Sequence, residues 1–385
     1  MQQAQTGRWA VAAMFATNGF VMGAWAPQIP LLLPRHGISN TALGLLILAL
    51  GLGAVGAMLF AGRLIQSHGS RRVARAFGLA MVPALPLVVL APNLWLLAPA
   101  MALMGALIGC MDVAMNANAV EVERRLGRAI MSSSHGFWSL GGFVGGLGGS
   151  YIIALWGAEA QALIVSAIAL ATVLLAGPKL VADAPHTSAE KPAPHALFPR
   201  DVSLWILGFM ALFCMVPEGA VLDWAAIYLG RELGSDLFRA GLGFAGFAGA
   251  MALMRFAGDR LRNRFGAVKT LRISGLISAT GLLGGAMAPN DIVAIASFTF
   301  AGLGVANMVP ILFSAAGNHP GMAAGAAIST VTMVGYAGIL VAPSSIGFLA
   351  DHIGFRATYA ALAVVLLVVA VLSPRVKAAD GVRRL

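Results

Sequence analysis

Long apolar runs alternate with short polar connections along the whole chain. Stretches of about 20 apolar residues, the length that crosses the hydrocarbon core of a bilayer as an α-helix, occur twelve times. They are 9–33, 41–65, 74–91, 94–119, 130–156, 160–177, 203–229, 237–257, 268–288, 291–316, 325–349 and 357–373. The pattern therefore predicts an all-α membrane protein with twelve transmembrane helices.

The connections between these runs predict how the helices are grouped. Several are only a few residues long, as at 91–93 and 289–291, so neighbouring helices are expected to run antiparallel and to pack together. The longest polar interruption is rich in Pro, Ala and charge and divides the runs six and six. We therefore expect an N-terminal six-helix half at 1–177, a cytoplasmic linker at 178–202 and a C-terminal six-helix half at 203–385.

Composition supports the membrane class. Of 385 residues, 59% are hydrophobic and 10% are charged, whereas soluble domains carry about 25% charged residues. The first apolar run is too long for a signal peptide and has no small-residue cleavage site. Cys110 and Cys214 both fall within apolar runs, so free thiols are expected rather than a disulfide.

Basic residues are distributed unevenly between the two sides of the predicted membrane. With the N-terminus in the cytoplasm, 21 of the 25 Lys and Arg residues fall on the cytoplasmic side. The four on the outer side are Arg35, Arg231, Arg239 and Arg356. This asymmetry predicts a multi-pass protein of a bacterial-type inner membrane with both termini cytoplasmic. The net charge of +10 does not indicate a nucleic-acid binder, because the basic residues lie in short loops at helix ends.

Three carboxylates lie inside the apolar runs: Asp112, Glu218 and Asp223. No Lys or Arg shares the middle of those runs. An ionisable group in hydrocarbon costs roughly 2.5–3.5 kcal/mol on insertion scales, so it normally faces a bundle interior or a water-filled path. Because desolvation favours the neutral form of an acid, proton carriage is the first hypothesis for these residues.

Polar residues within the runs recur with a period of three helices. They lie in the first, fourth, seventh and tenth runs, which also contain Gly and Pro residues that can interrupt a helix. They are Asn18, Gln28, Asp112, Asn116, Asn118, Glu218, Asp223 and Asn307, and the breakers are Gly19, Pro27, Gly109, Pro217, Gly219, Gly304 and Pro310. Transporters built from inverted three-helix repeats place solute and ion sites near the midplane at the repeat interface. The pattern favours 3+3 inverted repeats within each half.

Two short loops at corresponding positions resemble the signature loop of the major facilitator superfamily. The family loop has an acid and a Gly-Arg-Arg/Lys cluster that latch two helices on the cytoplasmic side, and here Gln66 replaces the acid in the first copy. The resemblance implies a cytoplasmic gate formed by Gly62, Arg63, Gln66, Gly69, Arg71, Arg72, Arg255, Gly258, Asp259 and Arg260. For Arg255, a solute-binding role is the alternative.

The fourth run is similar to its counterpart in the fucose permease branch of that superfamily. Through this resemblance, the segment 109–116 implies a proton-linked acid at Asp112 and matches the Asn of that branch at Asn116. The chain departs from this branch in its first run, which has Asn18 and Gln28 but no acid. The segment 120–139 resembles a group of bacterial inner-membrane permeases.

Together, these residues predict a division of roles. Asp112, Glu218 and His135 are candidates for proton coupling, with a relay between Asp112 and His135 as one possibility. The candidates for solute binding are Asn18, Trp25, Gln28, Asn116, Trp138, Asp223, Trp224, Asn307 and Tyr336. Each has a structural alternative: amides and Tyr can bridge helices, Trp can fill packing space, and Asp223 with Trp224 can anchor the membrane interface.

The resulting hypothesis is a secondary active transporter that works by alternating access. We expect proton-coupled symport of a small polar, sugar-like solute, with the lipid bilayer as its environment and a functional monomer. Proton-driven efflux of drugs or metabolites is the nearest alternative, and a receptor or scaffold that does not transport is another. No nucleotide-binding loop, metal-ligand spacing or nucleophile–base pair is found in the sequence, so an enzyme, a cofactor and a metal site are not expected.

Overall fold

The computed structural model describes residues 2–38, 40–183, 201–235 and 237–384, and these residues form helices and connecting turns. The α-helices are α1 (Gln2–Trp25), α2 (Leu32–His36), α3 (Asn40–His68), α4 (Ser70–Met81), α5 (Ala84–Val89), α6 (Leu94–Leu126), α7 (Met131–Ala176), α8 (Val202–Leu233), α9 (Leu237–Phe265), α10 (Ala267–Ala286), α11 (Asp291–Val305), α12 (Met308–Gly317) and α13 (Ala324–Val371). Three 3₁₀ segments, Ala26–Leu31, Gly177–Lys179 and Ser373–Arg384, follow α1, α7 and α13.

These helices correspond to the twelve predicted spans. The helix α7 contains two spans that meet at Gly157 (φ 85°, ψ 171°), and α13 contains two that meet at Gly354 (φ 82°, ψ 160°). Glycine adopts a positive φ at little cost because it has no Cβ, so the chain breaks at these two residues without strain. Single spans are formed by α4 with α5 and by α11 with α12. Within the described residues, nine helical stretches are long and apolar enough to cross a membrane by length and composition alone.

The expected breakers act at only some of the predicted positions. The 3₁₀ segment around Pro27 ends the first span, and α11 gives way to α12 between Gly304 and Pro310. In contrast, α1 continues through Gly19. The glycine there serves close packing between helices, because a Cβ at this position would overlap the carbonyl oxygen of Trp138 on α7.

The chain divides into two compact units. Unit 1 contains Met1–Pro199 together with Gly321–Thr330, and unit 2 contains Arg200–Pro320 with Val331–Leu385. Most of the predicted linker, 184–200, lies outside the described residues. The assignment of Gly321–Thr330 to unit 1 reflects local contacts, since the Ser329 hydroxyl donates a hydrogen bond to the carbonyl of Met58 on α3.

The two units repeat the same local structures with a constant offset of 197 residues. Positive-φ glycines precede α4 and α10, asparagine side chains cap α6 and α11, and carboxylates accept hydrogen bonds from the first N–H of α4 and α10. The pairs are Gly69 and Gly266, Asn93 and Asn290, Gly157 and Gly354, and Asp183 and Asp380 (for example 266 − 69 and 380 − 183). The repeat therefore extends to individual capping residues.

Ion pairs involve three of the four arginines that the sequence places outside. Arg35 lies 3.0 Å from Glu159, Arg239 lies 3.3 Å from Asp291, and Arg356 lies 3.7 Å from Glu232. The first and third pairs occupy equivalent positions of the two units with the charges exchanged, since Glu232 follows Arg35 and Arg356 follows Glu159 by 197 residues.

Candidate functional site

Asp112 lies on α6 with one of its two carboxylate oxygens engaged. The Asn116 side chain, one turn later, donates from Nδ2 to the backbone carbonyl of Asp112 at 2.9 Å and approaches its Oδ1 at 3.4 Å. The residue is 4% exposed, and its Oδ2 has no hydrogen-bond partner among the described residues. A buried polar oxygen without a hydrogen bond is costly, and such atoms are rare in folded proteins.

His135 on α7 contacts Asn116, the residue that contacts Asp112. Its Nε2 lies 3.1 Å from Asn116 Oδ1. Because Asn116 Nδ2 faces a carbonyl, which only accepts, the Oδ1 assignment is fixed, and His135 must donate from Nε2. An amide does not pass a proton along such a path, so this contact does not itself form a relay, and the relay between His135 and Asp112 stays a prediction. His135 instead fixes the rotamer of Asn116.

Asn18 and Trp138 form a cross-link between three helices of unit 1. The Trp138 indole donates from Nε1 to Asn18 Oδ1 at 2.9 Å, and Asn18 Nδ2 donates to the carbonyl of Ile108 at 3.3 Å. Asn18 is 1% exposed. These contacts join α1, α6 and α7 next to Asp112, and they match the structural alternative for both residues more closely than solute binding.

Gln28 also makes hydrogen bonds that join segments of unit 1. Its Nε2 donates to the carbonyl of Ala158 at 2.9 Å and to Gln161 Oε1 at 2.6 Å, while Gln161 Nε2 donates to the carbonyl of Ala24 at 2.9 Å. Gln161 was not predicted, because it lies in an otherwise ordinary apolar run. Trp25, three residues before Gln28, is 4% exposed and packs in the core of unit 1.

In unit 2, Glu218 on α8 faces Arg255 on α9. Their Oε1 and Nη2 atoms are 3.6 Å apart, and Arg255 is 6% exposed. Arg255 lies ten residues before the end of α9 (265 − 255), about 15 Å along the axis. Arg255 lies one turn before Asp259 on the same helix, and its role in the cytoplasmic gate stays a prediction. No spacing in the sequence predicts this contact, because Glu218 and Arg255 lie on neighbouring spans.

The remaining candidates in unit 2 do not all lie together. Asp223 is exposed, and it is turned about 140° around α8 from Glu218. Trp224 packs against Phe355 at a ring distance of 5.9 Å, and its Nε1 has no hydrogen-bond partner among the described residues. Asn307 immediately precedes α12 and is 1% exposed, and its Oδ1 also has no hydrogen-bond partner among the described residues. Tyr336 is half-buried on α13.

The first predicted gate loop is capped by a carboxylate that the sequence analysis missed. Gly69 (φ 83°) precedes α4, and Asp183 accepts hydrogen bonds from Ser70 N at 2.5 Å and Ser70 Oγ at 2.6 Å. Asn118 donates to Ser70 Oγ at 2.9 Å and to the carbonyl of Val181 at 2.7 Å. Of the other predicted gate residues, Arg71 donates to the carbonyl of Pro178 at 2.8 Å, Gly62 is buried, Gln66 is half-buried, and Arg63 and Arg72 are exposed.

The second predicted gate loop has an equivalent arrangement. Gly258 and Asp259 are buried in the last turns of α9, and Arg260 is exposed. Arg262, which was not predicted, donates from Nη2 to Ser314 Oγ and to the carbonyl of Ala379, both at 2.7 Å. Asp380 Oδ1 accepts from Ala267 N at 2.7 Å. Each loop is thus joined to the segment that follows the sixth span of its unit.

Twelve membrane-spanning helices in two repeated six-helix units, with buried polar and charged groups inside them, define a multi-pass solute transporter. The family model described as the Major Facilitator Superfamily matches residues 11–224 and 219–381. The chain belongs to the Major Facilitator Superfamily, and its resemblance to the fucose permease branch is confirmed at the level of fold.

Known proteins similar to this chain include uncharacterised bacterial transporters and solved transporter structures. An uncharacterised MFS-type transporter of Yersinia pestis is 38% identical over 359 residues, which is 92% of each chain. A variant of the fucose:proton symporter FucP of E. coli superposes with a TM-score of 0.73 at 20% identity, covering 96% of this chain and 98% of that one. The proton:xylose symporter XylE has a TM-score of 0.76 at 13% identity, with 96% and 95% covered.

Proposed function

We propose that the protein is a proton-coupled symporter of a small polar, sugar-like solute that works by alternating access, with Asp112 as its proton carrier. The observation that carries the proposal is the buried Oδ2 of Asp112, which has no hydrogen-bond partner among the described residues. Loss of a proton leaves a charge there that apolar surroundings penalise, so loading and unloading must accompany a change in its environment.

The neighbours of Asp112 support the proposal because they contact only one of its two carboxylate oxygens. Asn116 is held by its hydrogen bonds to Asp112 and His135, and Asn18 with Trp138 fixes the adjacent helices. The second oxygen is therefore presented in a defined orientation. In its protonated form it donates one hydrogen bond, for which a solute hydroxyl is a suitable acceptor. The symport activity named for FucP and XylE is consistent with this chemistry.

The test is a pH-jump experiment on reconstituted vesicles. Full-length protein is exposed to L-fucose, D-xylose, D-glucose and sodium D-gluconate while the internal pH is followed. We expect solute-dependent proton uptake, and Asp112→Asn should lower it at least about tenfold, because the amide cannot bind and release a proton. Efflux by antiport would instead reverse the direction of proton movement.

A matched control makes the same chemical change away from the site. Glu159→Gln removes a carboxylate whose side chain is 63% exposed and pairs with Arg35, and it should leave proton uptake unchanged. Retention of solute-dependent, pH-dependent flux in Asp112→Asn would rule out Asp112 as the proton carrier. A receptor or scaffold would show no solute-dependent flux in any variant.

The remaining parts of the proposal concern location and assembly. A bacterial-type inner membrane with both termini in the cytoplasm is favoured by the 21 basic residues assigned to one side and by the ion pairing of Arg35, Arg239 and Arg356 on the other. We propose that one chain is the functional unit. The roles of Glu218, Asn307, Trp224 and Tyr336 stay predictions.

A further inference from the structure

The helix α10 has one exposed stripe whose character changes along its length. Its first members are Lys269 and Arg272, and Ile273, Leu276 and Leu283 follow. Spacings of three, four and seven residues place these side chains on one face of the helix. The stripe therefore presents two cations at the N-terminal end of α10 and mostly apolar side chains along the rest of the span.

The last span of α13 has an exposed stripe of the same kind. Leu367 and Val371 are exposed, and Arg375 follows Val371 by four residues. The chain continues as the 3₁₀ segment Ser373–Arg384, in which Lys377 is also exposed. Here too, apolar side chains within the span are followed by cations where the span ends.

These two stripes belong to helices in direct contact. A Cβ at Gly275 of α10 would lie 3.0 Å from the Cβ of Ala370 and 3.2 Å from the carbonyl oxygen of Leu366. Closer to the ends of both spans, Arg272 donates from Nε to Ser373 Oγ at 3.1 Å. Arg272 therefore lies across the boundary between the two helices.

The 3₁₀ segment runs beside the first turns of α10. At its start Ser373 accepts from Arg272, and seven residues later Asp380 Oδ1 accepts from Ala267 N at 2.7 Å. Arg375 and Lys377 lie between these two contacts along the chain, just as Lys269 lies between their partners on α10. Four exposed cations are thus gathered at the ends of two adjacent spans, and we call them the basic junction: Lys269, Arg272, Arg375 and Lys377.

The basic junction is short of negative charge. In the part of the chain that the structure describes, none of its four cations forms an ion pair with a carboxylate. Asp380 lies on the same segment, but it caps α10 through its Oδ1, and its single charge is outnumbered four to one. Because like charges held together raise each other's energy, this surface favours an anionic partner.

We propose that the basic junction binds the headgroup of cardiolipin, a phospholipid with two phosphodiester groups. Cations on α10 and on the 3₁₀ segment donate to the phosphate oxygens, and the acyl chains lie along the exposed apolar stripes of the two helices. Basic pockets between spans on the cytoplasmic side bind such headgroups, and this end of both spans is cytoplasmic in the orientation proposed above.

The arrangement favours two phosphates over one. The cations occupy two neighbouring elements, a pair on each, so two phosphate groups can bind side by side. A phospholipid with a single phosphodiester would leave more of the positive charge without compensation. The inference goes beyond the transport chemistry, because none of the four residues belongs to the proposed proton or solute sites.

Native mass spectrometry of the full-length protein tests this inference. The purified protein is mixed in detergent with cardiolipin, phosphatidylglycerol or phosphatidylethanolamine at equal lipid phosphate. We expect cardiolipin to bind the unmodified protein, and Lys269→Gln combined with Arg375→Gln should weaken its binding at least about tenfold. Both side chains are exposed, so this variant should melt, without added lipid, close to the temperature of the unmodified protein.

Two matched variants separate the site from general surface charge. Arg128→Gln combined with Arg264→Gln removes the same amount of charge from two other exposed arginines assigned to the cytoplasmic side, and cardiolipin binding should be unchanged. Lys269→Arg combined with Arg375→Lys keeps the charge of the basic junction and should retain binding within about threefold.

The inference is overturned if the variant with both glutamines at 269 and 375 binds cardiolipin as tightly as the unmodified protein, or if the control variant loses binding equally. Equal binding of phosphatidylglycerol would also overturn it, because the basic junction would then not select two phosphates. Displacement of the lipid by equimolar sodium phosphate would indicate a site for free phosphate instead. None of these measurements involves proton flux, so their outcome is independent of the test of Asp112.

Discussion

Glu123 is fully buried at the end of α6 and lies outside the proposed transport chemistry. Its Oε1 accepts hydrogen bonds from Ile130 N at 2.9 Å and Met131 N at 3.0 Å, where α7 begins. Unsatisfied buried donors cost about 1–3 kcal/mol each, so Glu123→Ala should lower the free energy of unfolding by at least that much. Thermal unfolding in detergent, followed by tryptophan fluorescence, measures the loss.

The control for this prediction is Glu159→Ala, which removes an exposed carboxylate from its pair with Arg35. Exposed ion pairs contribute about 0–1 kcal/mol, so its melting temperature should stay close to that of the unmodified protein. Equal melting temperatures for the two variants would contradict the capping role of Glu123.

At the residue scale, short spacings were predictable and contacts between helices were not. Asp112 and Asn116 are four residues apart on one helix, so their contact follows from helical geometry. Asn18 meets Trp138 across 120 residues, and Glu218 meets Arg255 across 37. Such contacts depend on the rotation and sliding of packed helices, which the hydrophobic pattern of one helix does not specify. For the same reason Asp183 and Asp380 were missed as caps.

At the scale of elements, glycines let α7 pack against α1 at very short range. A Cβ at Gly145 would overlap the carbonyl oxygen of Phe20, whereas a Cβ at Gly148, one turn later, would meet nothing within 4 Å. We expect Gly145→Ala to lower the melting temperature and the yield of monodisperse protein, because the helices must separate. Gly148→Ala should be neutral or stabilising by up to about 1 kcal/mol through helix propensity. Equal behaviour of the two variants would exclude close packing as the role of Gly145.

The existence of the elements was predictable from length and apolar content, but some of their ends were not. The helix α1 begins seven residues before the predicted start at 9, and α6 continues to Leu126, since polar ends of long helices carry no hydrophobic signal. The breaks at Gly157 and Gly354 depend on positive φ, and nothing in the sequence distinguishes these two among 47 glycines.

At the scale of the whole molecule, the offset of 197 residues shows that the halves repeat geometry while their chemistry diverges. The carboxylate caps at Asp183 and Asp380 are shared, but the equivalent ion pairs Arg35–Glu159 and Glu232–Arg356 have their charges exchanged. The Asp112 position corresponds to Val309 and the Arg255 position to Met58 (309 − 112 and 255 − 58). At these positions each unit thus carries a charged residue where the other has an apolar one.

The orientation of the whole molecule in the membrane is also a testable prediction. Alkaline phosphatase folds only where its disulfides form, outside the cytoplasm. Fused to the C-terminus of the full chain it should be inactive, and inserted after Asn290, between α10 and α11, it should be active. The physical reason is retention of loops rich in Lys and Arg on the cytoplasmic side, whereas three of the four outer arginines are neutralised by ion pairs. Activity of the C-terminal fusion together with inactivity of the insertion would show that the chain is inserted in the opposite sense.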